Sequence, residues 1–106
     1  MLEAEEFIID RGDLSKEISI EEIPVVQRLI LKKMNKKNKK VYIATNLLES
    51  MIENKYPTRA EANDIYNCLE LGSAGLVLAA ETAIGKWPKE CVSFVSKLIV
   101  KFQKNK

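Results

Sequence analysis

Three short apolar runs, Phe7-Ile8-Ile9, Val41-Tyr42-Ile43-Ala44 and Gly75-Leu76-Val77-Leu78-Ala79-Ala80, start about 34 residues apart, the length of one βα unit. Each is followed by a stretch with helical periodicity. Apolarity without alternation predicts strands covered on both faces, as in parallel sheets. Strand followed by helix, repeated, restricts the chain to an α/β architecture, because neighbouring parallel strands need a crossover between them. Ligands of such sheets bind beyond the carboxyl ends of the strands. Asp13, Thr45 and Glu81 stand at those ends.

The intervening segments read as helices. Ile23, Val26, Ile30 and Met34 predict a helix of about four turns from Glu21 onward, with Pro24 acceptable in its first turn. Lys32, Lys33, Lys36, Lys37, Lys39 and Lys40 gather at its end, where cations complement the helix dipole. Residues 47–52 predict a short helical piece, broken by Tyr56-Pro57. Thr58-Arg59-Ala60-Glu61 has the form of a capping box, Ile65, Cys68 and Leu69 form the buried stripe behind it, and Gly72 closes that helix. Pro88 opens a last helix with the stripe Val92, Val95, Leu98, Ile99 and Phe102, and residues 101–106 are expected to fray.

Composition narrows the functional classes. A chain of 106 residues with 46% apolar content can bury one modest core. Seventeen basic against fifteen acidic side chains leave a net charge of +2, so any anion site is local and the chain lacks the field of a dedicated nucleic-acid binder. The lysine run has no interleaved aromatic before Tyr42 and reads as a solvated helix end; no nucleic-acid partner is expected. No apolar stretch approaches the roughly 20 residues that span a bilayer, so no membrane association is expected. The acidic start, Met1 to Glu6, lacks the layout of a secretory signal, and a cytoplasmic location is expected. Cys68 and Cys91 lack ligand spacing and read as buried free thiols. Histidine is absent, which removes imidazole bases and Ser-His or Cys-His pairs. Carboxylates, hydroxyls, amines and backbone amides must carry any chemistry.

Four segments carry a resemblance in order and spacing: Asp10-Arg11-Gly12-Asp13-Leu14-Ser15, Ala44-Thr45-Asn46-Leu47-Leu48-Glu49-Ser50-Met51, Pro57-Thr58-Arg59-Ala60-Glu61 and Ala79-Ala80-Glu81-Thr82-Ala83. They resemble the Ala-Arg-Gly-Asp-Leu-Gly, Ala-Thr-Gln-Met-Leu-Glu-Ser-Met, Pro-Thr-Arg-Ala-Glu and Ser-Gly-Glu-Thr-Ala segments of pyruvate kinases. The match runs from about residue 6 to 102. The resemblance implies a partial TIM (β/α)₈ barrel, its sixth to eighth βα units, where a complete barrel takes about 250 residues. Residues 1–106 would then be a fragment of the barrel domain, with neither the lid domain nor the C-terminal regulatory domain.

The activity implied is transfer of a phosphoryl group from phosphoenolpyruvate to ADP, giving pyruvate and ATP in glycolysis. Asp13 would be one of two carboxylates holding Mg²⁺ or Mn²⁺, hard cations that take oxygen ligands. The backbone amides of Gly12 and Asp13 would face the substrate's anionic groups, and Thr45 would place its hydroxyl against the substrate's carboxylate and enolpyruvate face. K⁺ belongs to the full-length family. The partners implied are phosphoenolpyruvate, ADP or ATP, and either a homo-oligomer or the remainder of a parent chain.

Departures from the pattern define an alternative. The family's catalytic lysine and second metal carboxylate lie on the preceding strand, so no catalytic residue is assigned within this chain and the isolated chain is expected to be inactive. Ala79 replaces a serine linked to proton delivery; Ser15 and Asn46 replace glycine and glutamine. The alternative is a non-catalytic truncated relative acting as an oligomerisation or interaction module. Local roles also compete: Asp13 as a turn cap, Thr45 as a strand-end hydroxyl satisfying nearby backbone, Glu81 and Thr82 as loop organisers. Arg59 and Glu61 read as structural, and Arg11 as either a substrate contact or an ion pair that shapes its loop.

Overall fold

The computed structural model describes residues 5–106. The order is β1 (Glu6–Asp10), α1 (Arg11–Glu17), a 3₁₀ turn (Ile20–Glu22), α2 (Ile23–Lys36), β2 (Lys40–Ala44), a 3₁₀ turn (Glu49–Ile52), α3 (Arg59–Glu70), β3 (Gly75–Val77), α4 (Ala80–Ala83) and α5 (Pro88–Lys104). The sheet is parallel in the order β1-β2-β3, with Ile9 opposite Ile43 and Ile43 opposite Leu76. Strand starts at residues 6, 40 and 75 keep the spacing read from the apolar runs.

The period of two along each strand divides its side chains between the two sheet faces. Phe7, Ile9, Val41, Ile43 and Leu76 turn toward the helices and meet Leu31, Ile65, Cys68, Cys91 and Val95 in one core. Ile8, Tyr42 and Val77 share the opposite face, where Ile8 is 63% and Val77 38% exposed. Strands covered on both faces were expected; only one face is covered. The physical reason is the strand count: a barrel interior is filled by layers contributed from all around the ring, and three adjacent strands cannot supply them.

Several elements differ from the periodicity reading. β3 stops at Val77, and the chain leaves the sheet before the short α4 instead of running on to Ala80. The first strand passes directly into α1, because Asp10 is both its last residue and the helix N-cap. The buried line of α2 is Gln27 and Leu31, flanked by Ile30 and Met34, one position round from the predicted stripe. On α5, Val92 is 53% exposed while Cys91 is buried, and the helix continues to Lys104 past the point expected to fray. The capping box at Thr58, the Ile65-Cys68-Leu69 stripe and the left-handed closure at Gly72 (φ 95°) match the expectation. Both cysteines are buried free thiols. Among the described residues, no helix is long and apolar enough to cross a membrane.

Candidate functional site at the carboxyl ends of the strands

The three strand ends meet through a small set of polar contacts. Asp10 leaves β1 with φ −92° and ψ 104°, and its Oδ1 accepts the Asp13 amide at 3.1 Å. This satisfies one of the orphan donors of the α1 first turn. The Gly12 amide donates to Thr45 Oγ1 at 2.8 Å. A Cβ on Gly12 would lie 3.2 Å from Asp10 Oδ1 and 3.5 Å from Thr45 Oγ1, so glycine is what permits the close approach. The Thr45 hydroxyl proton has two acceptors, the Ala44 carbonyl at 2.6 Å and Asp10 Oδ1 at 3.2 Å.

Gly12, the Asp13 amide and Thr45 are therefore brought together, and the atom that joins them is Asp10 Oδ1. Sequence reasoning passed over Asp10. The signal was present, since Asp10 stands where the quoted family motif has alanine, and aspartate is a strong N-cap residue. The Asp13 carboxylate is separate from this cluster: it is 77% exposed and 3.9 Å from Lys16 Nζ.

Thr45 and Asn46 both have left-handed backbone, with φ of 69° and 58°. Asparagine tolerates this region, whereas for a β-branched threonine it is an outlier. Such outliers persist only where their surroundings hold them, and they concentrate at functional sites. Here the holder is Arg11. Its Nε and Nη2 donate to the Thr45 carbonyl at 3.2 and 3.0 Å, and Nη2 also reaches the Asn46 carbonyl at 3.2 Å. Its Nη1 pairs with Asp64 of α3 at 2.8 Å, and the side chain is 11% exposed. The ion pair that shapes the loop, one of the two roles left open for Arg11, is present.

Glu81 ties the second strand end to the third. It is 2% exposed; Oε2 accepts the Leu48 amide at 3.0 Å and Oε1 accepts the Ala79 amide. The Thr82 hydroxyl donates to the Ala79 carbonyl at 3.1 Å, so both residues organise the β3–α4 turn. Thr45, Asn46, Glu49, Ala79 and Glu81 line a small cleft between these two strand ends. Glu61 accepts from the Thr58 amide at 2.9 Å and the Ser50 amide at 2.8 Å. Burial pushes its carboxyl up, but the hydrogen bonds from Ser50 and Thr58 outweigh this and hold it below the ordinary 4.5. Arg59 is exposed at the start of the same helix.

Two further groups bear on chemistry. Burial pushes the Cys68 thiol up to about 11, and Cys91 is likewise raised by burial, so neither is an activated nucleophile. Among the described residues, no three or more His, Cys, Asp or Glu side chains cluster as a metal cage. The accessible Asp13 carboxylate fits one oxygen ligand of a shared divalent site, since Mg²⁺ takes only one or two carboxylates and keeps waters or phosphate oxygens.

Comparison with known proteins gives the family of this fold. Residues 1–92 match the family model described as pyruvate kinase, barrel domain. The chain is 48% identical over 97 residues to a pyruvate kinase of Thermotoga maritima, and 41% identical over 98 residues to one of Mycobacterium tuberculosis. In each case 92% of this chain and 21% of the relative are covered, so the chain spans about a fifth of the length of these relatives. The crystal structure of a pyruvate kinase from Cryptosporidium parvum superposes with a TM-score of 0.92 at 38% identity, covering 95% of this chain and 21% of that one. A parallel three-stranded segment with these strand-end residues, matched along most of its length, belongs to the pyruvate kinase family and to the barrel domain of that family.

Proposed function

We propose that the chain forms the phosphoenolpyruvate-facing side of a barrel that transfers a phosphoryl group to ADP, and that it does not turn over alone. The observation that carries this reading is the convergence of the Gly12 amide, the Asp13 amide and the Thr45 hydroxyl on one small volume at the barrel mouth. These donors are engaged with Thr45, Asp10 and the Ala44 carbonyl, and a substrate oxygen would exchange for those acceptors as it binds. In the reaction, the phosphorus–oxygen bond of phosphoenolpyruvate breaks and a new one forms to the terminal phosphate oxygen of ADP. The enolate left behind takes a proton to become pyruvate.

The chain's own part is positional. The backbone amides and the Thr45 hydroxyl orient the substrate carboxylate and enol oxygen, while Arg11 and Glu81 keep Thr45 and its loop in place. Asp13 would hold Mg²⁺ or Mn²⁺ together with a carboxylate from outside these residues; a cation there supplies charge neutralisation. The lysine that acts on the transferred group, the second metal carboxylate and the K⁺ site are assigned to barrel units other than these three.

Grafting residues 6–102 in place of the matched units of an intact relative tests the reading. The graft should keep metal-dependent ATP formation from phosphoenolpyruvate. Within it, Asp13→Asn and Thr45→Ala should each lower kcat/KM by about tenfold or more, ~1.4 kcal/mol of transition-state stabilisation. Unchanged kcat/KM in both variants rejects the assignment.

Among the described residues, the exposed sheet face and the unpaired edges of β1 and β3 favour a second reading, an oligomerising or interaction module without catalysis. It predicts self-association of the purified chain by sedimentation together with an inactive graft.

A further inference from the structure

The outer face of α2 carries a pattern that the fold leaves unused. The buried line of this helix is Gln27 and Leu31. On the opposite side Glu22, Val25, Leu29, Lys32 and Lys36 follow one another in steps of three and four, and all five are exposed, Val25 at 58% and Leu29 at 62%. Glu22 has helical backbone, so the line runs through it without a break. Steps of three and four place side chains on one seam, the spacing by which two helices pack side by side. We propose that this seam docks the same seam of a second copy of the chain, the two helices running antiparallel about a twofold axis at the level of Gln27. This contact is separate from the strand ends and from the sheet edges.

Charge and symmetry select that occupant. The seam is acidic at its start, with Glu21 and Glu22, apolar at its centre, and basic at its end, with Lys32, Lys33 and Lys36. Positions 25 and 29, 22 and 32, and 21 and 33 are each symmetric about position 27. Turning one copy end for end therefore sets Val25 against Leu29 and Glu22 against Lys32, each of them twice, with Glu21 beside Lys33. A parallel pair would set acid on acid and base on base. A partner of one charge sign would leave half of the seam unmatched, whereas the seam itself matches all of it. Such a self-complementary contact closes at two copies.

The groups are free to make it. Among the described residues, none of Glu21, Glu22, Lys32 and Lys33 is in an ion pair. Glu22 accepts the Ser19 hydroxyl at 2.9 Å, a neutral partner that leaves its charge uncompensated. Beside the seam runs a groove of about 790 Å³, walled by Leu71 and Glu70 at the end of α3. Asn35 Nδ2 donates to the Leu71 carbonyl at 3.2 Å, which ties α2 to that wall and gives the incoming helix a formed seat. One helix pair buries less than the roughly 800 Å² per partner of a standard interface, so the dimer is a weak one, with Kd on the order of 100 μM.

The test is sedimentation equilibrium of the 106-residue chain up to about 1 mM, for wild type, Leu29→Lys, the acid-end variant Glu21→Lys with Glu22→Lys, and the base-end variant Lys32→Glu with Lys33→Glu. All five positions are exposed, so the fold should survive, and circular dichroism checks that it does. Wild type should dimerise, and each variant alone should dimerise about tenfold more weakly or worse. An equimolar mixture of the two charge variants should recover wild-type affinity as a heterodimer, because every reversed end then meets its opposite. If a charge variant loses its fold, Leu29→Lys decides by its own loss of association. A wild-type chain that stays monomeric overturns the proposal. Association that Leu29→Lys leaves unchanged runs through the sheet edges and overturns it too, as does a mixture of folded charge variants that associates no better than either one alone.

Discussion

Arg11→Lys preserves a positive charge and removes the planar fork, so it isolates what the clamp on Thr45 is worth. The guanidinium makes three N–H contacts to two carbonyls and one ion pair to Asp64. A lysine ammonium, a point charge on a flexible stem, can keep about one of these contacts. Hydrogen bonds to charged groups contribute about 1.5–3 kcal/mol each when fully desolvated. Asp64 is 33% exposed and both it and the carbonyls can regain water, which lowers the expected loss to about 2–3 kcal/mol. Urea unfolding of the 106-residue chain, followed by Trp87 fluorescence, measures it. The mechanism makes a second demand. Thr45→Gly needs no clamp to remain left-handed, so in that background the cost of Arg11→Lys should shrink by about 1 kcal/mol. A loss below about 0.5 kcal/mol, the range of ordinary surface substitutions, refutes the clamp. So does a loss that Thr45→Gly leaves unchanged.

Glu81→Ala strands the buried Leu48 amide and the Ala79 amide and should cost about 3–5 kcal/mol in the same unfolding assay, with Glu81→Gln costing roughly half because one acceptor oxygen remains. Glu61 is held below its ordinary 4.5 in the folded chain, so its contribution is complete above that value and is lost as pH falls through the folded value. The stability gap between wild type and Glu61→Gln, about 1 kcal/mol at pH 7, should therefore close toward pH 3; a gap that widens on acidification contradicts the capping account. The Cys68 thiol is raised from 9.0 to about 11, so its stabilising contribution is complete below 9.0 and is lost as pH climbs toward about 11. Alkylation of the native chain at pH 8 should proceed only at the rate of unfolding, and rapid labelling of Cys68 without unfolding contradicts its burial.

The elements that fix the scaffold were legible because local and global signals agree there. The capping box at Thr58, the stripe of α3 and the three apolar runs each state one thing, and the structure contains them. Misreadings came where tertiary contacts override periodicity. Gln27 is buried against Cys68, with Nε2 3.8 Å from Sγ, so the inner line of α2 passes through a polar residue that an apolar search discards. β3 ends early because Glu81 captures the Ala79 amide, a contact two residues apart that no apolar pattern encodes. At the mouth, Gly12 and Thr45 were visible from motif and strand ends, whereas Asp10, the polar residue that follows its apolar run, gained its role only as the last residue of β1 and the N-cap of α1. The left-handed backbone at Thr45 has no sequence signature, because threonine is among the residues least suited to it.

A coupled assay of phosphoenolpyruvate-dependent ATP formation, with Mg²⁺ and K⁺, tests most directly the claim that these residues form one side of a shared site. It should compare the 106-residue chain alone with the chain mixed with a relative's barrel that lacks the matched three βα units. The chain alone should give no turnover, and complementation should give turnover that is lost with Thr45→Ala. Turnover by the chain alone would contradict it.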